Sequence, residues 1–268
     1  IYSARPWELS AYVQDKMEFD RMVVNLGVRL DYFDPNTTYP SQWRNPANQL
    51  YFPNNPEKMS RPLRADPKYQ ISPRLGVSYQ LGKTALLHFA YGHFFQMPPL
   101  YAMYQNHSHF VPPSDFSTVM GNPQVHAQKT VQYEVGLWQK LADNMDLEVT
   151  VYYRDIYDLL SAKVITTYNQ IRYGLYSNKD YGNVRGLELR YNLNLRQVYV
   201  SANYTFQYTR GNADSPTFTF SRAGARMDPV NRMIPMSWDQ RHTLNVSVGY
   251  HRPRYGATIM LLYNSGTP

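Results

Sequence analysis

The stretch from Gln128 to Asp158 constrains the chain most. Val131, Tyr133, Val135 and Leu137 fall on one face of an extended segment; Gln132, Glu134 and Gly136 fall on the other. Leu141-Ala142-Asp143-Asn144 is a short polar reversal, after which Leu147, Val149, Val151 and Tyr153 alternate with Asp146, Glu148, Thr150 and Arg154. Successive side chains of a strand point to opposite faces, so this is a β-hairpin with one apolar and one polar face. Each strand holds about a dozen residues, roughly twice the common globular length. Strands this long, apolar outside and charged inside, suit a wall between lipid and a water-filled lumen.

The same pattern runs through the chain. Trp7 to Phe19 reads as a first strand and reverses at Asp20-Arg21. Met22 to Phe33 returns, with Leu26, Val28 and Leu30 opposite Asn25, Gly27, Arg29 and Asp31. Gln70 to Leu81 and Thr84 to Phe95 form the next pair around Gly82-Lys83, with Arg74 on the polar side. After the organising hairpin come Val184 to Leu195 and Val198 to Arg210, in which Leu187, Leu189 and Tyr191 oppose Glu188 and Arg190. Asp239 to Tyr250 and Tyr255 to Tyr263 complete ten strands. The segments between pairs, 34–69, 96–127, 159–182 and 211–237, read as long loops. Short and long connections alternate strictly, as short periplasmic turns and long extracellular loops do in outer-membrane barrels; soluble sandwiches seldom sort loops this way. Tyr32, Phe33, Phe94, Phe95, Tyr157, Trp238 and Tyr263 at one end, with Phe19, Tyr79, Trp138, Tyr199 and Tyr250 at the other, are expected to form interfacial girdles.

Composition agrees with a barrel. A mean hydropathy of −0.55 averages a lipid face with a polar lumen and wet loops. Tyrosine, an interface residue, occurs 25 times. No apolar run is long enough for a transmembrane helix, and no signal peptide is visible at Ile1-Tyr2-Ser3. The chain has no cysteine, which excludes disulfides and thiolate chemistry. The net charge of +7 comes from scattered Lys and Arg, a distribution that argues against nucleic acid. Outer-membrane lipid and the phosphates of lipopolysaccharide would receive exposed cations equally well.

Sites of chemistry are few. His107, His109, His93 and His126 lack the carboxylates and spacing of a metal centre. Asp143 and Asp146 read as a polar turn. No phosphate loop, serine triad or metalloprotease motif occurs, so no catalytic residue, metal or cofactor is expected. Arg29, Arg74, Glu134, Glu148, Arg154, Glu188 and Arg190 share the inward parity and are expected to be lumen charges. Loop 96–127 carries Tyr101, Tyr104, His107, His109, Phe110 and Phe116, the expected substrate contacts; the alternative is that these rings pack the loop on itself.

Several strings also resemble a known family. Gly121-Asn122-Pro123 followed by Tyr133-Glu134-x-Gly136, Tyr12-Val13-Gln14-Asp15, Gly27-Val28-Arg29-Leu30-Asp31-Tyr32, Ser72-Pro73-Arg74-Leu75-Gly76, Tyr91-Gly92-His93-Phe94-Phe95-Gln96, Gly182-Asn183-Val184-x-Gly186-x-Glu188 and Trp238-Asp239-Gln240-Arg241-His242 are similar to the barrel strings of TonB-dependent outer-membrane transporters, especially Oar-like and SusC-like receptors. The resemblance implies an all-β transmembrane barrel of about 22 strands around an N-terminal plug, in the outer membrane of a Gram-negative bacterium. Residues 1–268 would then be a single barrel segment, an arc of ten strands without plug. It also implies active import of a large or scarce nutrient (iron chelate, glycan, peptide or cobalamin), powered by TonB-ExbB-ExbD through the plug, with a surface lipoprotein as a further partner. Two other readings stand beside it: a self-closed small barrel acting as a surface hydrolase, and a structural barrel in a surface or secretion complex.

Overall fold

The computed structural model describes residues 3–230 and 232–268; at 179 and 180 it describes the backbone. Ten long strands carry the fold: β1 (Trp7–Glu18), β2 (Met22–Asp34), β3 (Lys68–Leu81), β4 (Ala85–Gln96), β5 (Gln128–Ala142), β6 (Met145–Thr166), β7 (Arg172–Asn194), β8 (Val198–Gly211), β9 (His242–Arg252) and β10 (Tyr255–Asn264). Each pairs antiparallel with its neighbours in sequence, giving one sheet in the order β1 to β10. Among the described residues no ladder joins β1 to β10, so the sheet is an open arc. A self-closed ten-stranded barrel is thereby not what these strands form.

The register aligns the apolar positions into rows. Leu137, Val149, Leu189 and Tyr204 are successive cross-strand partners, as are Val135, Val151, Leu187 and Phe206 one row further along. The next row reads Tyr91, Tyr133, Tyr153, Arg185 and Tyr208. An aliphatic band bordered by tyrosines is what an interface with lipid headgroups selects. Four residues expected in the girdle lie elsewhere. Phe33 is only 3% exposed and packs in a core. Phe94 lies under the Arg74 guanidinium, 5.0 Å from its ring centroid. Trp138 pairs with Glu148, and the Tyr199 ring covers Gly249, so both lie on the polar face. An aromatic near a strand end is an interface residue only on the outward parity.

The segment 159–182, expected as a loop, is instead a continuation of the wall. β6 runs 22 residues and β7 23, closing through a turn at 167–171. Twenty-two residues at ~3.3 Å each give about 70 Å of strand, far more than a tilted strand needs to cross an apolar band of about 25 Å. The extension is covered on both faces. Ala162 and Tyr176 belong to one buried cluster, Tyr173 and Leu175 to another. A strand buried on both sides loses its polar alternation, which is why these residues do not read as a strand.

The other long connections fold against this hairpin. Connection 97–127 contains α1 (Leu100–Tyr104) and a short strand, Val119–Met120, which pairs parallel with β7. Connection 212–241 contains α2 (Phe218–Gly224), whose Phe220 enters the same cluster as Ala102, Met103, Tyr104 and Val125. In connection 35–67, Thr38–Pro40 pairs with Pro62–Arg64. The hydrophobic core of the chain therefore lies in this cap, beyond the wall. Met103, Met120 and Leu175 are fully buried there, each such side chain contributing about 1.5–3 kcal/mol.

Candidate functional site

Two surfaces carry the polar chemistry: the sheet face opposite the aliphatic rows, and the cap.

On the polar face, Glu134, Glu148, Glu188 and Arg190 line one cleft of about 420 Å³ together with Asn203 and Asn245. Arg190 Nη1 donates to Glu148 Oε2 at 3.0 Å across β6 and β7. Glu134 accepts from Gln132 Nε2 at 3.0 Å and faces His88 Nε2 at 3.5 Å. His88 can reach that carboxylate because its ring lies over Gly136, where a Cβ would stand 2.1 Å from the imidazole. Glycine here is a requirement of close approach. Arg154 stacks over Tyr152 at 4.8 Å, with its Nε buried and without a partner, and Tyr152 Oη donates to Gln207. Arg29 and Arg74 line a second hollow of about 540 Å³ with Phe94. Arg29 Nε donates to Asp31 at 2.8 Å, whereas Arg74 faces the Phe94 ring. Of the seven charges, four thus line the first cleft and two the second, while Arg154 lies in neither. Arg190 is exposed and its pairing is of the kind that stabilises by no more than about 1 kcal/mol; its value is the polar surface it presents.

In the cap, the six expected contact residues separate. Tyr104 is 5% exposed and its hydroxyl donates to the Pro35 carbonyl at 2.7 Å. Phe116 packs on Phe220, centroids 5.3 Å apart, with the Arg172 guanidinium 4.9 Å from its ring. His109 meets the edge of Trp43 at 5.8 Å, and burial, then the neighbouring His107, holds its pKa below the ordinary histidine value. Tyr101, His107 and Phe110 remain exposed. The rings that pack the loop on itself and those left to solvent are thus different residues.

Phe116 and His109 both adopt left-handed backbone, φ 54° and 56°. Such conformations persist where the surroundings over-determine them. Asp115 supplies part of that constraint: its carboxylate accepts from Arg172 N at 2.8 Å and from the Arg172 guanidinium.

An aromatic and cationic group beside the turn 167–171 was not foreseen. Arg44 lies 4.4 Å over the Tyr168 ring, and Lys58 lies over both Tyr168 and Phe52. Trp43, next to Arg44, stacks on Tyr39 and accepts the Tyr173 hydroxyl at its carbonyl. Its members come from segments more than a hundred residues apart, so no local spacing announces it. Among the described residues no cluster of His, Cys, Asp and Glu could hold a metal ion.

The Gly121-Asn122-Pro123 string joins cap to wall. Asn122 Nδ2 donates to the Tyr176 carbonyl, Asn122 N to the Ala102 carbonyl, and Lys68 Nζ to the Pro123 and Asp66 carbonyls.

The family model described as TonB dependent receptor-like, beta-barrel matches residues 2–267. The chain belongs to this family. No curated protein matches the sequence. Among solved structures it is similar to the siderophore receptor PiuA from Acinetobacter baumannii, with TM-score 0.62 and 14% identity over 97% of this chain and 33% of that one. It is similar also to the FrpB iron transporter from Neisseria meningitidis, with TM-score 0.61 and 14% identity over 97% and 34%. A third is the Serratia marcescens hemophore receptor HasR in complex with its hemophore HasA and heme, with TM-score 0.64 and 15% identity over 98% and 44%. At these identities the likeness is one of fold. The chain spans less than half the length of these neighbours. The family places it in the outer membrane of Gram-negative bacteria, as an antiparallel barrel wall.

Proposed function

We propose that this wall belongs to a transporter that imports a large or scarce nutrient through a plugged lumen, powered by TonB-ExbB-ExbD. The observation that carries the reading is the division of labour across one sheet: aliphatic rows outward, Glu134, Glu148, Glu188 and Arg190 together on the opposite face, and, among the described residues, a packed cap beyond one end. The charged face is suited to contact a polar plug and a hydrated solute. The cap presents Tyr101, His107 and Phe110, together with the Arg44, Lys58 and Tyr168 group, to the medium, a surface on which rings and cations can hold a planar or anionic solute. The arc performs no covalent step in this scheme. The neighbours' names, which mention siderophores, iron, copper and heme, put metal chelates and haem first in the substrate panel, ahead of glycans, peptides and cobalamin.

The test is uptake by cells carrying the full-length protein, with labelled ferric chelates, haem and copper supplied singly. At least one solute is expected to enter in a protein-dependent manner and to stop entering when TonB is deleted or a protonophore is added. Uptake that survives loss of TonB would replace active import with passive diffusion.

A further inference from the structure

The hollow that holds Arg29 and Arg74 carries more positive charge than its surroundings use. It measures about 540 Å³ on the polar face of β1 to β5, and among the described residues no carboxylate lines it. Arg74 is exposed and makes no hydrogen bond or ion pair among the described residues; its guanidinium lies 5.0 Å from the Phe94 ring centroid. A guanidinium stacked on a ring keeps its N–H edge for a ligand. Arg29 holds Asp31 through Nε alone, at 2.8 and 3.1 Å, which leaves both Nη groups without a protein partner among the described residues. In the register of β2 and β3, Arg29 faces Ser72 and Arg74 faces Gly27. The two cations are therefore diagonal neighbours, within reach of one ligand.

Small residues keep the floor of the hollow bare. Arg74 has Gly27 on one neighbouring strand and Gly92 on the other, and the next row away from the cap runs Asn25, Gly76, Ala90. An added Cβ would meet nothing nearer than 3.5 Å at Gly27 or 3.8 Å at Gly76, so close packing does not require glycine at either position. What these residues clear is room beside two cations. Like charges side by side repel, and an anion between them turns that repulsion into attraction. The nearby acids are engaged: Asp31 is buried against Arg29, and Glu134 accepts from Gln132 and faces His88 at 3.5 Å. Charge is also sorted by depth. Arg29 and Arg74 stand nearer the cap, and Glu134, Glu188 and Glu148 follow in successively deeper rows of the same face.

We infer, as a step that rests on the import reading, that Arg29 and Arg74 form a second site for the solute, on the wall beneath the cap, and that it takes a carboxylate-bearing anion. Guanidinium forks match carboxylate oxygens in a bidentate geometry. The amides of Gln14 and Asn25 line the same hollow and can meet hydroxyl or carbonyl groups of the solute. A volume of about 540 Å³ is that of a small-molecule pocket. A single acidic side chain reaching in from the plug would fill a small part of it, which favours a solute. An anion that has passed the cap meets the two cations first, and the acids deeper in the wall repel it, so it is held at this level.

The experiment is equilibrium dialysis of the full-length protein in detergent against radiolabelled tricarballylate, a tricarboxylate probe, with its uncharged triethyl ester as competitor. Wild-type protein is expected to bind the probe, and unlabelled tricarballylate, but not the ester, to displace it. R74Q, which leaves the bond between Arg29 and Asp31 in place, should weaken binding by at least about tenfold, as loss of a charge-assisted bidentate contact requires. R74K keeps the charge without the fork and should fall between the two. R185Q, which removes an exposed arginine from the opposite face, should leave binding unchanged. Heat-modifiable migration checks that each variant is folded, and added salt should weaken binding to the wild type, a readout that needs no variant. Folded wild type that binds no probe, binding that is insensitive to salt, equal binding by wild type and R74Q, or displacement by the ester would each overturn the inference. Failure of wild type to bind, joined to a lower melting temperature of R74Q, would assign Arg74 to an acid of the plug instead. Uptake that survives loss of TonB would remove the import reading while leaving probe binding intact, so the two failures are distinguishable.

Discussion

Arginine in place of Val149 is expected to destabilise the folded barrel by about 2–4 kcal/mol, the range for a cation at the membrane midplane of a β-barrel. The position follows from the register. Outward residues along β6 run Met145, Leu147, Val149, Val151 and Tyr153, so Val149 lies midway between the turn end and the tyrosine row. Its partners Leu137 and Leu189 are aliphatic, and the row continues through Leu87, Tyr204 and Leu244, so among the described residues no acid stands on it to receive a guanidinium. The matched control is Asn245→Arg. Asn245 lies in the cleft with Glu134, Glu148 and Glu188, where an added cation is hydrated and attracted. Its effect should stay below about 1 kcal/mol, as for other exposed ion pairs. Urea unfolding of the full-length protein in lipid vesicles reads both. Equal destabilisation by the two variants would mean that the faces have been assigned wrongly.

What could be read from sequence follows the same physics. β2, β5 and β8 alternate cleanly because each has lipid on one side and polar surroundings on the other, and that asymmetry is written into residues such as Leu187 and Glu188. The gathering of Glu134, Glu148, Glu188 and Arg190 in one cleft was legible for this reason. The 159–166 and 172–178 extensions were not, because Ala162, Tyr173, Leu175 and Tyr176 are buried on both faces. The cap rings were half legible. Composition marks loop 96–127 as aromatic, but nothing in the spacing distinguishes Tyr104, bonded to Pro35, from Tyr101 three residues earlier, left at the surface. The Arg44, Lys58 and Tyr168 group depends wholly on tertiary contact between connection 35–67 and the hairpin turn. Conversely, Gly121-Asn122-Pro123 was conspicuous as a string while its role became clear only from its contacts.

That role leads to the second large effect, Gly121→Ala. Gly121 is buried, and an added Cβ would stand 2.6 Å from Gln105 N and 2.7 Å from both the carbonyl carbon and oxygen of Met103. All three obstacles are backbone atoms, so no side chain can swing aside. Relief requires α1 to move, and α1 carries Ala102, Met103 and Tyr104 into the main buried cluster. Overpacking of this kind costs about 1–3 kcal/mol, occasionally more. Displacing α1 would also strain the bonds from Gly121 N to the Gln105 carbonyl and from Asn122 N to the Ala102 carbonyl, both 2.7–2.8 Å. The ladder of the wall does not pass through these atoms: β4 pairs with β5 through Ala85–Gln96 and Gln128–Gln139. The damage should therefore be confined to the cap. Hydrogen exchange on the full-length protein is expected to show amides of 102–105 and 173–176 exchanging about tenfold faster or more, since 1.4 kcal/mol is a factor of ten, with amides of Val135, Leu137 and Val149 unchanged. Surface protease on intact cells should then cut within 97–127 while the short turns stay intact. Unaltered protection at 102–105 would show that the cap tolerates the methyl group, and loss of protection in β5 and β6 as well would show that cap and wall unfold as one unit.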